Sequence, residues 1–163
     1  MTKCDFRGTR ILMGAFKQGE LRFCNAECGA KADLIRVSRT IPDDVVEREV
    51  REVHQGSCRK CSGPGPVDVH TSHRVDSALV FTAWSSHPEV CCRACGIKKQ
   101  IKHGAFSFFL GWWGLPFGLI MTPVQLARNL SGVVGIGEPD PGVPSPALDR
   151  AVRLRLAAVG RPR

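Results

Sequence analysis

This sequence lacks several things, and each absence removes a class of answer. No Ser/His/Asp order, phosphate-binding glycine loop or HExxH pair is present, so the chain offers none of the usual catalytic signatures. His70 and His73 in "HTSH" do not replace them. Residues three apart on a strand point to opposite faces, and the pair reads as polar residues on a half-exposed sheet. The N-terminal run Ile11–Phe16 is short and broken by Gly14, whereas a secretory leader carries roughly 7–15 apolar residues before a small-residue cleavage site. The cysteines are therefore expected in a reducing cytosol, where close pairs are more often metal ligands than disulfides. Acidic residues are scarce, 15 against 23 Lys and Arg, giving a net charge of +8. That balance favours an anionic partner, nucleic acid or acidic lipid. Charge is missing altogether from Gly104 to Ala127.

What is abundant is cysteine, eight in 163 residues. Cys58-Arg-Lys-Cys61 and Cys92-Arg-Ala-Cys95-Gly96 are two CxxC turns, and each can offer two thiolates to one tetrahedral zinc ion. The spacer is longer than the roughly 15–20 residues common in such motifs. "VDVHTSHRV" and "SALVFTAWSS" have strand character and can fill it as a pair. A thioredoxin-like CxxC needs a helix directly after it, and "CSGPGPVDV" cannot start one. Cys91 is left outside the set.

Cys4, Cys24 and Cys28 form a second, incomplete group. "FCNAEC" resembles the second half of a treble-clef finger, but the first half has Arg7 where its second cysteine belongs. Either His54 completes a Cys3His site, or the finger is held by packing alone. Zinc with four protein ligands has no open position and activates no water, so a closed site here is structural and its binding energy is folding energy.

The fold class expected is α+β: a small treble-clef-like finger and helix, a zinc-ribbon β-sheet, then a hydrophobic kinked helix or helical hairpin. The corresponding segments are 1–56, 57–103, 104–130 and 131–163. Thr40, Pro42 and Asp43 give a helix start, and Val46, Val50 and Val53 share one face, which predicts a helix over Asp43–His54. Residues 131–163 read as a Gly/Pro linker and a basic amphipathic helix with Leu148, Val152, Leu156 and Val159 on one side.

The charge-free segment decides the function class. Its 24 residues would span about 36 Å as one helix, more than a bilayer core of roughly 30 Å needs. Yet Pro116 lies at its centre among Gly111, Gly114 and Gly118, and Trp112 and Trp113 fall mid-segment rather than at an interface. Lys98, Lys99 and Lys102 precede it, and five arginines from Arg150 to Arg163 follow, so the positive-inside rule holds both ends in the cytoplasm. A kinked hairpin satisfies all of this, and its exposed backbone favours a shallow dip or an oligomer. A straight single span is the alternative.

Taken in order, "CSGPGPVDVHTSH", "CCRACG" and "GWWGLPFGLIMTPVQ" resemble a family of bacterial zinc-ribbon proteins with a hydrophobic GWWG-x-P segment. The likeness covers about Cys58 to Leu130 and implies architecture without an activity. There is a looser likeness to monotopic proteins in which a zinc-stabilised sheet anchors a hydrophobic helix on one leaflet. The expectation is a non-enzymatic, zinc-binding adaptor or scaffold on the cytoplasmic face of a bacterial inner membrane. It would hold one zinc ion or two, with Lys98, Lys99, Lys102, Trp112 and Trp113 facing anionic lipid and the N-terminal finger left for a protein partner. The alternative is a nucleic-acid-binding ribbon using Arg59, Lys60 and Arg93, which ranks lower because no aromatic residues interleave those charges. Thiol–disulfide exchange is the third reading.

Overall fold

The computed structural model describes residues 3–8, 11, 14–78, 81–113 and 117–160. Among them are two two-stranded antiparallel sheets and six helices, an α+β architecture. The chain divides into two units, Met1–Val50 with Pro146–Arg163, and Arg51–Ser145.

In the first unit, β1 (Phe16–Gln18) pairs with β2 (Leu21–Phe23) across a turn in which Gly19 has a φ of 64°. Helices α1 (Ala26–Gly29) and α2 (Ala32–Arg39) follow. Asn25 caps α1 by accepting the Cys28 N–H at 2.9 Å, which presents Cys28 inward. The core gathers Cys4, Leu21, Phe23, Cys28, Ala32 and Ile35, with Leu154 packed against it. Leu154 comes from α6 (Pro146–Val159), which lies against α2. The arginines of α6 are not a free basic face. Arg153 bridges Asp43 at 2.6 Å and Asp149 at 3.0 Å, and Arg155 pairs with Glu49.

Helix α3 (Asp43–Gln55) forms where the valine spacing predicts it, with Val46 and Val50 buried and Val53 half-buried. In the second unit, β3 (Val67–Ala78) and β4 (Phe81–Cys92) pair along their whole length, from Val67↔Cys92 to Ala78↔Phe81. The sequence alone places the second strand at Ser77–Ser86. β4 starts later, at Phe81, because bringing the two cysteine turns to one end pairs Val67 with Cys92 and Ala78 with Phe81; Leu79 and Val80 of the expected strand lie outside the described residues.

Two helices follow, α4 (Arg93–Leu110) and α5 (Phe117–Val134), packed on each other and on β3. Residues 104–127 are thus not one helix, because the chain leaves helical form at Gly111. The straight span is not formed, and among the described residues no helix is long and apolar enough to cross a membrane. The transmembrane helix expected from the sequence is absent to that extent. Gly114 and Pro116, expected to make the break, lie outside the described residues.

The two helices are polar inside and apolar outside. Helix α4 buries Gly96, Gln100, Gly104 and Ser107. Helix α5 buries Gly118, Thr122, Gln125, Asn129 and Gly132. The reason lies in β3. One edge faces β4; along the other, backbone groups at alternate residues need partners. His54 Nδ1 meets the Val67 carbonyl at 3.0 Å, and Gln100 Nε2 donates to the Thr71 carbonyl at 3.2 Å. Asn129 accepts the His73 N–H at 2.8 Å and donates to its carbonyl at 2.6 Å, and Ser107 Oγ accepts the Val75 N–H at 3.0 Å. Side chains thus take the place of a third strand. They reach the edge because glycines let the backbones close in: a Cβ on Gly96 would stand 2.7 Å from His70 Cβ and Cγ.

Replacing Asn129 by Leu removes both bonds to His73. Leaving a fully buried donor and acceptor unpaired would cost about 1–3 kcal/mol each, about 2–6 together; these bonds are part-buried, so a loss in the lower half of that range, about 2–4 kcal/mol, is expected in denaturant unfolding. A loss below about 1 kcal/mol would mean that water serves this edge equally well.

Candidate metal centres

The second unit brings Cys58, Cys61, Cys92 and Cys95 together, with all four sulfurs within 4.8 Å of one another. Zinc–sulfur bonds of about 2.3 Å in a tetrahedron require sulfurs just under 4 Å apart, and the Cys61 and Cys92 sulfurs stand at 3.6 Å. Local backbone builds each half. Around Cys58 the chain folds into a tight knuckle: the Ser62 N–H donates to the Cys58 carbonyl at 2.7 Å, and the Cys58 N–H to the Gly63 carbonyl at 2.8 Å. Ser62 takes a φ of 56° to close it. Cys92 is the residue preceding α4, so Cys95 falls in the first helical turn and both sulfurs face the knuckle.

The protons are unevenly shared among these thiols. Burial pushes the Cys58 thiol up, but the N–H groups of Cys92, Lys60 and Cys61 outweigh it and hold Cys58 at about 6. The bond to Cys61, then burial and the bonds to Cys92 and Cys58, push Cys95 up to about 12. An anionic sulfur beside protonated ones is a set ready to exchange protons for a divalent cation. Cys91 stays outside the group: it is buried against Cys58, Val67 and Cys92, and burial pushes its thiol up to about 11.

The first unit brings Cys4, Cys24 and Cys28 together under the same 4.8 Å limit. Cys24 and Cys28 lie 3.4 Å apart, and the Arg7 N–H reaches Cys4 Sγ at 3.5 Å. Burial pushes Cys28 up to about 12, helped by the hydrogen bond to Cys24 and by the electrostatic effect of the Cys4 sulfur. His54 is not part of this group. Its ring nitrogens face the carbonyls of Val67 at 3.0 Å and Pro141 at 3.2 Å, so it serves the edge of β3 instead.

Lys98 and Lys102 are exposed, whereas Lys99 donates to Glu89 at 2.8 Å. Lys60 pairs with the other oxygen of Glu89, and these two ammonium groups hold the Glu89 carboxyl below its usual range. Arg59 and Arg93 are exposed. Trp112 and Trp113 are 39% and 70% exposed, past the end of α4. His70 and His73 part company as expected for a strand: His70 is buried against Glu138, and His73 Nδ1 meets Ser86 Oγ at 2.9 Å. Sequence reasoning missed Gln100, Ser107, Asn129 and Glu138. The signal available was the run of small and polar residues at 96, 100, 104, 107 and 111, a single helical face inside an apolar segment.

No family model, curated protein or solved structure matches the chain. The chemistry of the two sulfur groups therefore rests on their own geometry, which fits a thiophilic ion such as zinc.

Zinc binding to the Cys58 group releases one proton from every thiol still protonated in the metal-free protein. Above about pH 6 Cys58 is already a thiolate and contributes none; below it, Cys58 must release one as well. The slope of log affinity against pH, measured by chelator competition, should therefore steepen by one below about pH 6. An unchanged slope through that region would show that Cys58 carries no such poise.

Proposed function

We propose that the protein is a non-enzymatic, zinc-stabilised adaptor or scaffold associated with the cytoplasmic face of a bacterial membrane. In this reading the helical hairpin of α4 and α5 dips into one leaflet. The observation that carries it is the reversed polarity of those helices. Ile101, Phe108 and Phe109 on α4 are 56%, 54% and 71% exposed, and Ile120, Leu130 and Val134 on α5 are 59%, 62% and 60% exposed. Helices on a soluble domain turn such residues inward. Small and polar residues inside with apolar residues outside is the pattern of helices packed in lipid.

The arrangement of charge supports a shallow insertion. Phe108, Phe109, Leu110, Trp112 and Trp113 at the end of α4 and just past it, and Leu119 and Ile120 at the start of α5, are exposed. Lys102 precedes Leu110, and Arg128 follows Ile120, by eight residues each, about 12 Å along a helix. Arg74 of β3 adds a third cation, stacked 3.7 Å over the Phe106 ring. Cations about two turns behind an apolar tip sit at headgroup level when the tip reaches the upper acyl chains. Burying the exposed part of each large tip residue contributes about 1–2 kcal/mol. Each nearby cation adds about 1 kcal/mol on an anionic surface. Lys98 and Lys102 are available for this role; Lys99, held by Glu89, is not. The engagement of Lys60 by the same carboxylate also removes a cation from the nucleic-acid alternative.

In flotation with phosphatidylcholine vesicles containing phosphatidylglycerol, the full chain should float. Phe109→Asp with Trp113→Asp should lower the bound fraction at least tenfold while leaving zinc content unchanged. Lys102→Gln with Arg128→Gln should weaken binding roughly thirtyfold, the equivalent of about 2 kcal/mol. A full chain that stays in the aqueous fraction with anionic and neutral vesicles alike would overturn this reading.

A further inference from the structure

The two cysteine groups are built on the same backbone device. In the first unit the Gly8 N–H donates to the Cys4 carbonyl at 2.7 Å, as the Ser62 N–H donates to the Cys58 carbonyl at 2.7 Å in the second. Gly8 and Ser62 both adopt left-handed backbone, with φ of 70° and 56°. In each unit a two-stranded sheet then leads to a helix that carries the last cysteine of the group. The helical pairs differ in spacing, Cys24 and Cys28 being four apart and Cys92 and Cys95 three, and the groups differ in residue type at one ligand position. Three residues after the knuckle's first cysteine stands Cys61 in one and Arg7 in the other.

That difference leaves one corner of a tetrahedron open. Cys4, Cys24 and Cys28 fill three corners, and among the described residues no His, Asp or Glu joins them. Glu27, next in sequence to Cys28, is outside the group; its carboxylate lies 4.0 Å from Arg7 Nη2. Arg7 cannot fill the corner, because a guanidinium has donors and no lone pair to give. The open corner faces solvent: the Arg7 side chain is 52% exposed, and Cys61 at the matching position is exposed as well. Zinc bound by three thiolates carries a net charge of −1. A fourth thiolate would raise it to −2, which the adjacent guanidinium offsets. Soft sulfur is also the donor that the other three already select.

We propose that the Cys4–Cys24–Cys28 centre holds a zinc ion whose fourth position, vacated by Arg7, is completed by a thiolate from outside the chain. The site is then a docking point for a small thiol or for a cysteine of a partner protein, and this is independent of membrane binding.

Cobalt substitution of the full chain reads the number of sulfur ligands through the sulfur-to-cobalt charge-transfer band. Two cobalt ions per chain are expected, with seven cobalt–sulfur bonds from the two cysteine groups. Adding 2-mercaptoethanol, or a short cysteine peptide, should raise the band by about one-seventh; the serine version of the peptide should not. A response to the small thiol assigns the source as a free thiol, and a response to the peptide alone assigns a partner cysteine. Arg7→Cys should begin at the higher intensity and not respond, whereas Arg7→Ala should keep the wild-type start and still respond. One cobalt per chain, or two with no response in wild type and Arg7→Ala to either probe, would overturn the proposal.

Discussion

A sheet of two strands has two edges to satisfy, and the outer edge of β3 shapes the second unit more than any other feature. Its carbonyls and N–H groups at Val67, Thr71, His73 and Val75 find side chains rather than a third strand. Gln100, Ser107 and Asn129 can serve only if the helices turn polar faces inward, and only if glycine or other small residues let those faces approach. The apolar residues of α4 and α5 are then left on the outside. An exposed Phe109 is therefore the other side of the same constraint that buries Gln100 and Ser107.

The sulfur groups set where that arrangement begins. Joining the Cys58 knuckle to Cys92 fixes the register of β3 on β4, and placing Cys92 before α4 with Cys95 in its first turn fixes the start of the helix. From that start, positions 100 and 107 come level with Thr71 and Val75. A bound ion at the four sulfurs would thus hold the end of the strand pair and the helix in one relation, contributing to folding in the way expected for small modules with little core.

Much of this was legible in the sequence, for identifiable reasons. The CxxC turns announce themselves because metal chemistry demands short, fixed spacing, and Val46, Val50 and Val53 announce α3 through period. A break within residues 104–127 was expected from Pro116 and the glycines around it; α4 ends at Leu110 with Gly111 as its C-cap, while Gly114 and Pro116 lie outside the described residues. What was not legible depends on contacts far apart in the chain. Nothing near Asn129 says that it will cap His73, 56 residues away. The pairing of Arg153 with Asp43 and of Arg155 with Glu49 is equally silent, so α6 reads as a free basic helix when it is a packed one. His54 is spaced like a ligand but spent on two carbonyls. The finger-like turn at Cys4 was legible despite Arg7, and the backbone closes it with the same N–H-to-cysteine-carbonyl bond that closes the turn at Cys58.

The central claim is that the outward apolar faces meet lipid at shallow depth. Tryptophan emission in a Trp84→Phe background reports on Trp112 and Trp113 alone. With anionic vesicles carrying brominated acyl chains, the emission should shift to shorter wavelength. It should be quenched most strongly by bromines near the headgroup end of the chain and weakly by those near the bilayer centre. Emission that keeps its water-exposed wavelength and is untouched by bromine at any depth would contradict the account.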